Sequence, residues 1–201
     1  MYNLRYGLNY LRHRFVANNR HGIHSPFVYK LIDTVIYDYS PQKVYREIAA
    51  YAKAHHPDKR LINTLPLKVY QLIYRLAVYF NPRVIAFAGD DNGVLSLSIK
   101  KAVPDAILTD VNRLSGYNSP DWVMIDASRG DIIHAFNDCL QYIQSQTIML
   151  FFNIHRKMEI EAAWKVVKTN KRVMLSIDLF YIGLVFFKEN RKEQEHFAIK
   201  Y

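Results

Sequence analysis

The residues best placed to hold a ligand lie in Val84-Ile85-Ala86-Phe87-Ala88-Gly89-Asp90-Asp91-Asn92-Gly93, an apolar run that enters a glycine-spaced turn ahead of a helical stretch at Val94 to Ala102. Glycine at each end of such a turn lets the backbone approach a ligand with no Cβ in the way. Asp110 follows Gly93 by 17 residues at the end of the next apolar run, where a carboxylate can accept hydrogen bonds from ribose hydroxyls. By itself this pattern is also that of an ordinary tight turn.

The other chemistry-bearing side chains are sparser. His155 follows Asn153 by two residues; it is a candidate base for a substrate hydroxyl, set against the commoner reading of a locally bonded histidine at a helix start. His21 and His24 flank Gly22, but two ligands without a third make a poor zinc site, so packing and capping fit them better. His55-His56 reads as a pair at a helix end, near the negative pole of its dipole. Cys139 is the single cysteine, which excludes an intramolecular disulfide and a cysteine-held zinc and points to a reducing, cytoplasmic setting.

These residues need elements to position them, and the texture of the chain changes near residue 80. Leu4, Leu8, Leu11 and Phe15 form one stripe of a first helix. Ser25-Pro26 opens a second helix, to about Asp38, with a hydroxyl cap and a proline at its first position. Ser40-Pro41 opens a third, through about Ala54, and a fourth covers about Pro66 to Phe80, with Thr64 near its start. From Arg83 onward short apolar runs (Val84 to Ala88, Ala106 to Leu108, Trp122 to Ile125, Thr147 to Phe151) alternate with helical stretches, the pattern of a parallel sheet covered on both faces. A helix at Lys157 to Thr169 leads to Val173 to Ile177, a break at Asp178-Leu179, and Tyr181 to Phe187. Two strands that close must be antiparallel, and Phe197 to Lys200 adds a last edge strand.

Composition bounds the rest. The chain has 201 residues, half of them hydrophobic, enough for one core with an appendage and too apolar for global disorder. Arginines interrupt the N-terminal apolar residues, and no apolar run reaches the roughly 18 residues a membrane span needs, so neither a signal peptide nor a span is expected. The net charge is +9, and residues 1–30 hold Arg5, Arg12, Arg14, Arg20 and Lys30 with no acid. Such a segment suits a solvated helix face first, and an acidic partner, nucleic acid or anionic surface second. Tyr2, Tyr6, Tyr10, Phe15, Phe27 and Tyr29 have the spacing for packing on the main domain or on a second copy, a homodimer, rather than for stacking bases. Trp164 and Phe180 read as core.

Taken together, several motifs resemble class I S-adenosylmethionine-dependent methyltransferases, in particular a Bacteroidetes branch with a helical leader. They are Arg20-His21-Gly22-Ile23-His24-Ser25-Pro26-Phe27-Val28, the Gly89 to Gly93 turn, Asp121-Trp122-Val123-Met124-Ile125-Asp126, and the closing stretch. That stretch runs from Ile154-His155 through Trp164 and Ile177-Asp178-Leu179-Phe180 to Gly183-Leu184-Val185-Phe186-Phe187 and His196-Phe197. The resemblance implies that Gly89, Asp90 and Gly93 flank the cofactor's methionine part, that Asp110 holds its ribose, and that Asp126 borders substrate and methyl sulfur.

Three departures from the family pattern matter. The acid expected two positions before the first glycine is Phe87; only ten residues separate Asp110 from Asp121, where the family has a further helix and strand framing the adenine; and an acid pair that holds metal in some relatives is here Phe152-Asn153. With Asp126 and Asn153 as the only hard ligands left, no metal is expected there. The expected fold is therefore a Rossmann-like methyltransferase α/β sheet, mostly parallel with a C-terminal antiparallel hairpin and short of one strand-helix unit. Residues 1–80 form a helical extension packed on a domain at 81–201. The expected function is S-adenosylmethionine-dependent methylation of a small molecule, with a catalytically inactive binding or interaction protein as the alternative.

Overall fold

The computed structural model describes residues 4–19, 22–55, 65–89, 91, 93–116, 119–128, 130–188 and 193–201. Thr64, Asp90, Arg20, His21, Tyr2 and His56, all named above, lie outside them.

Four helices come first: α1 (Leu4–Val16), α2 (Pro26–Leu31), α3 (Lys43–His55) and α4 (Leu67–Phe80). The second expected helix is present, but its last turns, Ile32–Ile36, are wound as a π-helix. Such a turn leaves carbonyls without their usual helical donors, and the buried Arg75 of α4 supplies them, its Nε donating to Val35 O at 2.7 Å and its Nη2 to Ile36 O at 3.3 Å. Ser25 occupies the cap position of α2, yet its side chain makes no cap bond; proline at the first helical position is what presets the helix start. α4 ends on Asn81 in the left-handed conformation, one of the few side chains that tolerates it.

The α/β part continues with β1 (Val84–Ala88), α5 (Val94–Ala102), β2 (Ile107–Asp110), β3 (Trp122–Asp126), α6 (Ile132–Cys139), β4 (Ile148–Phe152), α7 (Met158–Lys168), β5 (Leu175–Asp178), β6 (Ile182–Phe186) and β7 (Glu195–Ala198). They form one seven-stranded sheet in the order β2-β1-β3-β4-β6-β5-β7. Strand β6 runs antiparallel to both β4 and β5, as the short connection between β5 and β6 demands, and all other pairs are parallel. The expected break at Asp178 lies one residue later, since Asp178 is the last residue of β5, paired with Gly183. Among the described residues between β2 and β3 the one element is a 3-10 turn, Val111–Gly116, and β2 forms the sheet edge, so these residues hold no further strand-helix unit.

Alternation along each strand divides the core in two. Phe87, Trp122, Met124 and Leu150 face the helices of the leader, where Leu31, Ile48, Leu72 and Ile73 meet them. Val123, Ile125, Met149 and Phe151 face α6 and α7, with Phe136 and Trp164 filling the space. Gly183 in β6 is required by that second layer: a Cβ there would lie 2.5 Å from the Trp164 ring.

Helix α1 departs from the usual rule that an apolar stripe faces the core. Leu4 is 80% and Phe15 85% exposed, and Leu8 and Leu11 also face outward, so Phe15 does not pack on the main domain. The opposite side touches the protein: Tyr6 and Tyr10 pack on Phe180, and His13 is the helix's one buried residue. Directly after α1, Asn18 bridges to Ile199 beside β7 and thereby extends the sheet edge.

Candidate functional site

Strand β1 has β2 on one side and β3 on the other, and α5 and α6, which follow β1 and β3, lie on opposite faces. At such a switch point the loops diverge and leave a crevice outside the carboxyl ends of the strands. A cleft of about 420 Å³ opens there, within the range of small-ligand sites. Ala88 and Gly89 from β1, Val111 and Asn112 after β2, and Ile125 and Asp126 at the end of β3 form its floor. Helix α6 forms a wall through Ile132, Ala135, Cys139 and neighbouring residues. Neither Phe87 nor Phe152 enters it: both side chains are buried on the leader side of the sheet.

Both glycines of the turn hold a positive φ. Gly89 has φ +106° and Gly93 φ +72°, conformations that side chains with a Cβ rarely adopt. A Cβ on Gly89 would meet nothing within 4 Å, because the position faces the open cleft; on Gly93 it would come within 3.1 Å of the Tyr51 hydroxyl. Asp110 ends β2, and its Oδ1 accepts from the Asn112 N–H at 2.7 Å, which sets the turn that carries Val111 and Asn112 into the cleft. Asp126 Oδ1 accepts from the Ser128 N–H and hydroxyl and from Asn153 Nδ2 at 2.9 Å. Asn153 is thus tied to Asp126, from a left-handed conformation of φ +62°, and neither it nor His155 lines the cleft.

Sequence reasoning missed the α6 wall. Its signal was present in Asp131, whose side chain caps the helix by accepting from the N–H groups of Ile133 and His134. Asp126, Asp131 and Asp138 all line the cleft, so this is an acidic hollow on a chain of net charge +9. Cys139 is inert, burial pushing its thiol up to about 12.

A second arrangement, also unforeseen, lies along the same edge of the sheet beyond β4. Asp178 is 5% exposed, and four donors converge on its carboxylate. His13 Nε2 donates at 3.0 Å, His155 Nε2 at 2.9 Å, Trp164 Nε1 at 3.0 Å and the Phe180 N–H at 3.0 Å. His155 Nδ1 faces Glu161 at 3.4 Å, and Glu161 also accepts from Arg5 at 2.7 Å and from Asn9. Phe180 stacks on the His155 ring at 5.0 Å and holds a strained φ of +69°. His155 is therefore bonded across the fold rather than only locally, and both of its ring nitrogens face carboxylates.

Electrostatics follow from this geometry. Burial alone would raise the Asp178 carboxyl, but the hydrogen bonds and charges of His13 and His155 outweigh it and hold the group well below the ordinary carboxylate range. For His155 burial works to lower the value, and the bonds and charges of Asp178 and Glu161 reverse the sign, so its imidazole is held above the usual histidine range.

By sequence the chain matches no family profile and no curated protein. Solved structures do match it. A methyltransferase from Geobacter sulfurreducens has 10% identity and a TM-score of 0.58 over 78% of this chain and 95% of its own. The SAH-bound methyltransferase PaMTH1 of Podospora anserina has 9% identity and a TM-score of 0.59 over 83% and 97%. An O-methyltransferase of Bacillus cereus in complex with SAH has 11% identity and a TM-score of 0.54 over 78% and 94%. Likeness at such identity is one of fold: the sheet is of the Rossmann-like methyltransferase type. No helix among the described residues is long and apolar enough to cross a membrane.

Proposed function

We propose that the chain binds S-adenosylmethionine in the cleft at the switch point and transfers its methyl group to a small-molecule acceptor. The observation that carries this reading is the open space in front of Gly89, at the end of β1, inside a cleft of about 420 Å³. Three carboxylates around a hollow favour a ligand bearing positive charge, as a sulfonium and an ammonium do. The Gly89 to Gly93 backbone would receive the methionine part, Asp110 and Asn112 the ribose, and Val111 and Ile125 the flat adenine. The cofactor supplies an activated methyl group; the protein's task is to align an acceptor with it and exclude water, which needs orientation more than acid-base power. The structural neighbours crystallised with SAH support the choice of cofactor.

Phe87 favours a second reading, in which the cleft binds a nucleoside without turnover. Its ring belongs to the core, so the position offers no acid to organise the glycine turn. Calorimetry with S-adenosylmethionine and its demethylated product tests both. Micromolar affinity supports the cleft as a cofactor site, whereas millimolar or absent affinity removes the methyltransferase reading. Micromolar affinity with no transfer of labelled methyl to any acceptor selects the second.

A further inference from the structure

The cluster around Asp178 has a composition that hydrogen bonding alone does not require. Among the described residues, His13, His155 and Asp178 are the one group whose ligand atoms, two imidazole nitrogens and a carboxylate oxygen, all lie within 4.8 Å of one another. The two nitrogens stand 3.0 Å and 2.9 Å from the carboxylate. Both separations fall a few tenths of an ångström below the roughly 3.4 Å edge of a tetrahedral site with metal–ligand bonds of about 2.1 Å, so a slight opening of the three side chains would seat an ion. We infer that His13, His155 and Asp178 form a binding site for a divalent transition-metal ion of the zinc class, which fastens helix α1 to the end of the sheet.

Three further features support the assignment. A buried carboxylate needs a positive partner, and a single protonated histidine would provide it; the second imidazole aimed at the same group is what a cation with several coordination positions uses. The surroundings are those of an outer ligand shell: Glu161 faces the remaining nitrogen of His155, while Trp164 Nε1–H and the Phe180 N–H orient the carboxylate. Finally, α1 lacks the usual means of attachment. Its leucines face solvent and His13 is its one buried residue, so the helix is held by the cluster and its neighbours rather than by an apolar stripe.

Two imidazoles and one carboxylate suit zinc over magnesium, which prefers oxygen ligands. The ion takes the Nε2 lone pair of each imidazole, so a neutral ring carries its proton on Nδ1 and a cationic ring must give one up, and binding strengthens as pH rises. Asp178 Oδ2 or a water completes the coordination.

The test uses the full chain stripped with a chelator and titrated with Zn²⁺ against a chromophoric competitor, with Mg²⁺ as the comparison ion and circular dichroism as the check on folding. One zinc per chain at submicromolar affinity, no magnesium, and a higher melting temperature with zinc are expected. His13→Ala and His155→Ala should weaken zinc by more than the roughly tenfold expected for Glu161→Gln, which removes only an outer partner. If the histidine variants do not fold, the stripped wild-type chain loaded with Co²⁺ decides, since four-coordinate cobalt with two imidazoles absorbs strongly in the visible and six-coordinate cobalt does not. Failure of the stripped wild-type chain to take up zinc at tenfold excess overturns the site, and so does zinc binding that His13→Ala leaves unchanged. The cluster is then a proton-bridged clasp. Neither result bears on S-adenosylmethionine, which is measured separately.

Discussion

Asp126 and Asp178 close two strands of one sheet at the same edge, but they are built for different duties. Asp126 lines an open cleft, and the partners described for it come from nearby loops, Ser128 and Asn153. Asp178 is enclosed by groups from α1, the loop after β4, α7 and its own turn, some of them 165 residues away in sequence. A carboxylate at a rim that water reaches can exchange partners when a ligand arrives, whereas one sealed under aromatic rings is committed to the partners it has. Position at the carboxyl edge of an α/β sheet thus does not by itself mark a ligand site; the surroundings of each side chain decide.

Substitution at the two carboxylates should separate them most sharply. Asp178→Ala takes the shared acceptor from His13, His155, Trp164 and the Phe180 N–H, leaving His155 with Glu161 as its one carboxylate, and should cost about 3 to 5 kcal/mol in urea unfolding at pH 6. Asp126→Ala should cost only about 1 kcal/mol. Equal losses would break the distinction. Trp164→Phe, which keeps an aromatic ring but loses part of the indole volume and the donor to Asp178, should cost about 1 to 3 kcal/mol, with no change in the affinity of the cleft for the demethylated cofactor.

The pH profile is a milder probe of the same contrast. Asp178 is held below its ordinary value, so its contribution is present above about pH 4 and is lost as pH falls through the folded value. His155 is held above its ordinary value, so its contribution is complete below about pH 6.5 and is lost as pH rises through the folded value. With chelator present, the melting temperature should plateau between about pH 4 and 6.5 and decline above it. His155→Gln should remove the alkaline decline; a profile that keeps it would show that other groups set it. The smallest effect belongs to Asp110→Ala, for which calorimetry should show about tenfold weaker nucleoside binding at an unchanged melting temperature.

Much of the architecture could be read from the chain because it depends on local chemistry. Positive-φ glycines at 89 and 93, the reversal into β6, and the short span between Asp110 and Asp121 all have causes within a few residues. The cluster on Asp178 has none. His13 sits among leucines and arginines in a sequence whose periodicity points to Leu4, Leu8, Leu11 and Phe15 as the buried side, and the structure buries the other side instead. Periodicity reports that a helix has two faces; which face turns inward was decided by Phe180 and Asp178, far along the chain. The α6 wall was overlooked for a related reason: Asp131 marks a helix start, but only the fold brings that helix beside Gly89.

Gly183 shows how a vacancy can be as specific as a side chain. The indole of Trp164 rests where a methyl group on residue 183 would stand, and the same indole reaches Asp178 with its N–H. Residue 183 is thus prescribed from across the layer: any bulk there would tilt the ring off its seat and draw the N–H away from the carboxylate. The bareness of one strand position is what lets the largest side chain of α7 serve as a strut for the neighbouring strand of the hairpin.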